Sequence, residues 1–138
     1  MEMQISDAAQ RMIGFILITV PTIQFGGYFL LTQLGRKDSV IRSDLQGSYY
    51  RAGHAHAGVL VLLALFAQLA IDASSFEGGV QWAVRIGFAL TPILISAGFF
   101  GAAPRNGTQP TRLIWLIYSG AVILAVCVLG LGLNLVFA

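Results

Sequence analysis

The chain has 138 residues, of which 57% are hydrophobic and only 10% are Asp, Glu, Lys or Arg, against roughly a quarter charged in ordinary soluble domains. Eight basic and six acidic side chains leave a net charge of +2, and no segment is rich in Ser, Pro or Gln, so the sequence fits neither a disordered tail nor a nucleic-acid binder. A single cysteine, Cys127, closes no intrachain disulfide and builds no thiolate metal site. The composition is that of an integral membrane protein, with room for one domain over residues 1–138.

A spanning helix needs about 20 mostly apolar residues to cross roughly 30 Å of hydrocarbon with every backbone amide bonded inside its own segment. Four stretches meet that demand, so the expected fold is all-α, a four-transmembrane-helix bundle. The first runs from Met12 to Leu34. Its leader carries Glu2 and Asp7, its apolar run is too long for a secretory signal and no small-residue cleavage pattern follows, so it reads as retained. Its expected inward face is Pro21, Gln24, Tyr28 and Leu31.

A polar connection, Gly35 to Arg51, leads to the second span, Ala52 to Ile71. There the stripe His54, Gly58, Val61, Leu65, Gln68, Asp72 recurs at helical spacing and gathers nearly every polar group on one side, which predicts a protein-facing surface. A short connection with Asp72, Ser74, Ser75 and Glu77 precedes the third span, Val80 to Ala103, which opens with Arg85 and contains Pro92. Pro21 and Pro92 are expected to bend their helices, with Thr19, Thr22, Thr91 or water satisfying the carbonyls they free. The segment Pro104 to Pro110 holds the turn Asn106-Gly107 before the last span, Leu113 to Ala138, whose inward stripe is Gly120, Ile123, Cys127, Gly130 and Asn134.

The first and third spans echo each other: Ile13-Gly14-Phe15 with Leu17, Thr19 and Pro21 against Ile86-Gly87-Phe88 with Leu90, Thr91 and Pro92, then Gly27-Tyr28-Phe29 against Gly98-Phe99-Phe100. Both run in one direction, so the pattern is that of a parallel repeat of two helical hairpins about an axis along the membrane normal. Arg36, Lys37, Arg42, Arg51, Arg105 and Arg112 all fall in the first and third connections. Positive loops resist translocation, which places both termini outside a bacterial plasma membrane. Asn106-Gly107-Thr108 is then cytoplasmic, a turn and not a glycosylation site.

The sharpest local motif is Arg51-Ala52-Gly53-His54-Ala55-His56-Ala57-Gly58, which holds both histidines. Residues two apart on a helix point about 200° away from each other, so the pair does not converge on one ion. With His54 inward, His56 lies in line with Leu60, Leu63 and Ala67, toward lipid or a neighbour, which makes His54 the internal ligand candidate and His56 the intermolecular one. The His-x-His opening with its small residues resembles helices of haem-copper-type and related haem-binding membrane families. That resemblance covers about ten positions, and the further histidines those families use are absent from this sequence. It implies haem as cofactor, held through His54 and/or His56; the bland reading is two histidines hydrogen-bonding near the headgroups.

The remaining candidate polar sites are Tyr28, Gln68, Asp72, Arg85 and Asn134. Arg85 is expected to snorkel toward the outer surface and to pair with Asp72, Glu77 or Asn134. No paired intramembrane carboxylate, Ser-His-Asp set, Cys-His cluster or phosphate loop occurs, which argues against an enzyme. Three classes of function follow: an accessory, assembly or self-associating subunit whose partners are the bilayer and other membrane helices, a haem-binding redox module, or an oligomeric channel or carrier lined by the Gln68 stripe. The first is the expected one, because chemistry-bearing groups are so few.

Overall fold

A computed structural model describes residues 5–104 and 109–137. Arg105 and the turn Asn106-Gly107-Thr108, like Glu2 and Ala138, lie outside the described residues. Four helices follow one another, α1 (Asp7–Gln33), α2 (Asp44–Asp72), α3 (Gly78–Ala102) and α4 (Ile114–Phe137), each long and apolar enough to cross a membrane.

Two of the helices begin five or more residues earlier than the apolar runs predict, because capping and not hydropathy sets their starts. Ser6 Oγ accepts the Ala9 N–H at 3.1 Å and launches α1 at Asp7, ahead of Met12. Ser43 Oγ accepts the Gln46 N–H at 3.1 Å while Gln46 Oε1 accepts from Arg42 N at 2.8 Å, so α2 starts at Asp44 and takes in the polar stretch expected to be loop. Gly35, at φ 70°, turns the chain after α1 as only glycine does easily.

The helices pack antiparallel in chain order. Gln68 meets Arg85 across α2 and α3, and the same pair of helices meets again where Gly53 lies against Phe99 and Phe100. The pair α2 and α3 is central; α1 leans on α2 with a small contact to α3, and α4 lies along α3. No comparable contact joins α4 to α1, whereas a two-fold axis relating the two hairpins would match the α2–α3 junction with an α4–α1 junction. The core therefore runs as a seam, with Ile16 of α1, Val61, Ala64, Ala67 and Ile71 of α2, Phe88 of α3, and Cys127 and Leu131 of α4.

Small residues let α3 and α4 approach. A Cβ on Gly98 would stand 2.8 Å from the backbone nitrogen of Ile117, and one on Gly120 would meet Ile95 Cγ1 at 2.7 Å. The stripe expected on α4 faces inward: Gly120 and Cys127 are buried, and Ile123, Gly130 and Asn134 are partly so. On α1 the expected face is wrong. Pro21, Gln24, Tyr28 and Leu31 are all exposed, and the packed side carries Ala9, Ile16, Val20 and Ile23. Polar side chains were weighted too heavily there, since α1 meets α2 through apolar and glycine surface.

Both prolines sit inside continuous helices. The carbonyls they free belong to Leu17 and Phe88, four residues back. The threonines do not serve them: Thr19 donates to Ile16 O at 2.6 Å, Thr22 to Thr19 O at 2.6 Å and Thr91 to Gly87 O at 2.8 Å.

Gly98→Ala is expected to destabilise the fold by about 2 kcal/mol, the usual cost of forcing extra atoms into a filled contact. Gly14→Ala, with open space around the position, should be neutral or slightly stabilising. Thermal unfolding of both variants in detergent tests the contrast.

Candidate functional site

Polar side chains collect at two places. At the end where α2 runs into α3, Arg85 is fully buried and its guanidinium turns inward onto α2. Nη1 donates to the Gln68 carbonyl at 3.1 Å and to Gln68 Oε1 at 3.3 Å, and Gln68 Nε2 donates back to the Arg85 carbonyl at 3.2 Å. Nη2 pairs with Asp72 and reaches Ser6 Oγ at 3.4 Å. Asp72 also accepts from the Ser6 backbone N–H at 2.9 Å and hydroxyl at 2.7 Å, so the N-cap of α1 joins the same cluster.

Three of the candidate polar residues, Gln68, Asp72 and Arg85, thus meet. The expected snorkelling of Arg85 does not occur, because α2 offers a carbonyl, a carboxamide and a carboxylate directly beneath it. Of the other expected partners, Glu77 is exposed at the α3 N-cap, and Asn134 bonds Ser75, accepting from its N–H at 3.0 Å and donating to its Oγ at 2.8 Å. Tyr28 stands apart on the outer side of α1, 64% exposed. Gln68 is wholly buried by this network and does not line an open path.

The second place lies toward the other end. His54 is partly buried, its imidazole laid over a glycine pair of α1: a Cβ on Gly27 would stand 3.1 Å from Cε1 and 3.2 Å from Nε2, and one on Gly26 3.5 Å from Nδ1. His56 is exposed on another face of α2. Its Nδ1 lies 2.7 Å from the Ala52 carbonyl, which only accepts, so the ring proton sits at that nitrogen; its ring lies 4.9 Å from that of Phe99. Leu60 and Ala67, expected to share a lipid-facing line with His56, are buried in the seam, because His56 stands at the margin of the α3 contact and not opposite it. The two imidazoles do not converge, and one chain does not bring both to a single haem iron. Among the described residues no group of three His, Cys, Asp or Glu side chains is placed to hold a metal ion.

His54 heads a cavity of about 370 Å³ between α1, α2 and α3. Its walls are mostly apolar, from Ile16 and Ile23 on α1 through Ala57 and Val61 on α2 to Ala89 and Pro92 on α3. Phe15 and Ile93, 66% and 53% exposed, stand at its margin, so it opens sideways between α1 and α3. Ser96 also lines it, and its Oγ is buried without a hydrogen-bond partner. An aromatic group closes the neighbouring end, with Tyr50 stacked 5.5 Å from Phe100 and edge-on to Phe29 at 5.9 Å.

Sequence reasoning missed Gly26, Gly27, Ser96 and Ser6. The glycine pair carried a usable signal, since adjacent glycines inside an apolar helix mark a close approach to a bulky neighbour. Ser96 carried none, because a serine one turn after Pro92 ordinarily bonds the preceding turn. In the connection between α1 and α2, the Arg36 guanidinium, 3.1 Å from Asp38, holds that carboxyl below its usual range. Both side chains are solvated, and the pair is a surface feature.

Removing Asp72 strands a buried cation, whereas removing Arg85 leaves a carboxylate still bonded to Ser6. Asp72→Ala is therefore expected to cost about 3 kcal/mol and Arg85→Met distinctly less, measured by denaturant unfolding. No protein-family model, curated protein or solved structure matches this chain, so its function is argued from these two polar clusters and the surfaces around them.

Proposed function

We propose that this chain is an integral membrane protein whose four helices span a bacterial plasma membrane, both termini outside, and that it serves as an accessory, assembly or self-associating subunit of a membrane complex and not as an enzyme. Almost all its mass lies in the spans, and the Arg- and Lys-bearing connection after α1 suits the cytoplasmic face. The internal hairpin echo belongs to the same reading, as a trace of duplication whose two halves have diverged in packing.

The observation that carries this reading is a second small-residue face on α4. Gly120 and Cys127 are spent on α3, yet Ala121, Ala125, Val128 and Gly132 share one exposed side of the same helix. Space around Gly132 is open. Since lipid tails are as apolar as leucine, helices associate in membranes where small residues allow backbones to approach, and a stripe left uncovered by its own chain suits another membrane helix.

In nanodiscs or mild detergent the protein is expected to sediment above its monomer mass or to co-purify with a membrane subunit. Ala125→Leu should weaken that association about tenfold, a loss of roughly 1.4 kcal/mol of helix packing. A monomer that holds no partner under both conditions rejects the reading. Orientation is checked separately in a Cys127→Ser background: a cysteine at Lys37 should react with impermeant reagent only after the cells are opened, and one at Glu77 in intact cells.

A further inference from the structure

The cavity under His54 has unmet chemistry. Thr19 and Thr22 also line it, but their hydroxyl hydrogens are committed to carbonyls of their own helix. The groups left to address an occupant are the His54 ring, which has no hydrogen-bond partner among the described residues, and Ser96 Oγ, buried with no partner. A buried hydroxyl without a partner is costly, and in an apolar site it calls for a ligand atom or a water.

Size and shape narrow the occupant. About 370 Å³ falls within the range of small-molecule sites. Gly26, Ala57 and Ala89 give it low walls, and Pro92 and Phe100 add flat apolar surfaces, so the space suits a planar ring. Because α2 and α3 are antiparallel with Gly53 beside Phe99 and Phe100, Ser96 lies near Ala57, roughly one helical turn, or about 5 Å, deeper than His54. The two donors therefore stand on different helices and at different depths of the cavity, as two separated carbonyl acceptors on one ring require. The opening past Phe15 and Ile93 leads to the apolar surface between α1 and α3, where a hydrocarbon tail would leave.

We propose that this cavity binds one membrane-dissolved quinone, its ring between α1 and α3, one carbonyl accepting from the His54 imidazole and the other from Ser96 Oγ, with its isoprenoid tail passing out beside Phe15 and Ile93. The site is independent of the α4 face, since no α4 residue lines it. An ester-linked phospholipid shares the combination of carbonyl acceptors and apolar tail. Its carbonyls sit at the headgroup boundary, however, and do not reach both donors across a flat body.

The test uses the full chain in phosphatidylcholine nanodiscs, titrated with a benzoquinone carrying a decyl tail. Bound quinone is read by absorbance after gel filtration, and the His54 ring nitrogens by NMR. Expected are saturation at one quinone per chain, a shift of the His54 nitrogens, about five-fold weaker binding in Ser96→Ala for the loss of one hydrogen bond, and none in Thr22→Trp, which fills the exposed mouth. Circular dichroism establishes that both variants keep their helices; if Thr22→Trp does not, Ile93→Trp takes its place at the same mouth. Uptake that rises with quinone without saturating, or that is equal in the mouth-blocked variant, overturns the proposal. So does native mass spectrometry showing one phospholipid per chain that the quinone does not displace, which assigns the cavity to an ester lipid.

Discussion

One buried cation fixes how three of the four helices meet. Arg85 has no route to solvent, and taking such a charge out of water costs several kcal/mol unless its donors are matched. Its Nη1 and Nη2 donors are matched by Gln68, Asp72 and Ser6, which lie on α2 and at the start of α1, and only Nε is left without a partner among the described residues. A slip of α3 along α2 by a full turn, about 5.4 Å, would pull that charge away from this set of partners, so the register of the central pair is set here. The glycine contacts farther along then fall into place: Gly53 under Phe99 and Phe100, and Gly98 and Gly120 between α3 and α4.

This division of labour suits helices whose surfaces are all apolar. Hydrophobicity alone does not tell one leucine-rich face from another, and packing without polar guidance leaves rotation and register loosely specified. A single charge network supplies direction, while the glycines supply closeness. At the far end of the α2–α3 pair the same task falls to aromatic rings, with Tyr50 between Phe29 and Phe100.

The number and order of the long apolar helices were legible in the sequence because long apolar runs need no tertiary knowledge. The helix starts were less so: hydropathy marks Ala52, whereas Ser43 and Gln46 had already announced the start of α2 in capping chemistry. The polar stripe of α2 was readable because its residue types are rare in such segments, and the stripe of α4 because its small residues recur at helical spacing. On α1 the same logic failed, since Tyr28 and Gln24 lie outward and the contact is made by residues with no polar mark. The Arg85 partners were half visible, Asp72 by its charge and Gln68 by its face, while Ser6 lay too far away in sequence to be connected. Ser96 could be found only once three helices had been set around a common space.

Because Ser6 is both the cap of α1 and a partner of Asp72 and Arg85, the first helix is tethered by charge at one end only. Beyond that point it rests on α2 by shape, with two glycines against an imidazole and then Phe29 edge-on to Tyr50. Each dispersion contact is weak and is lost within an ångström or so of separation, whereas the charge-assisted bonds at Ser6 hold over a longer reach. By geometry alone, any change of angle about the Ser6 end translates into a change of width that grows along α1 toward Gly26 and Gly27.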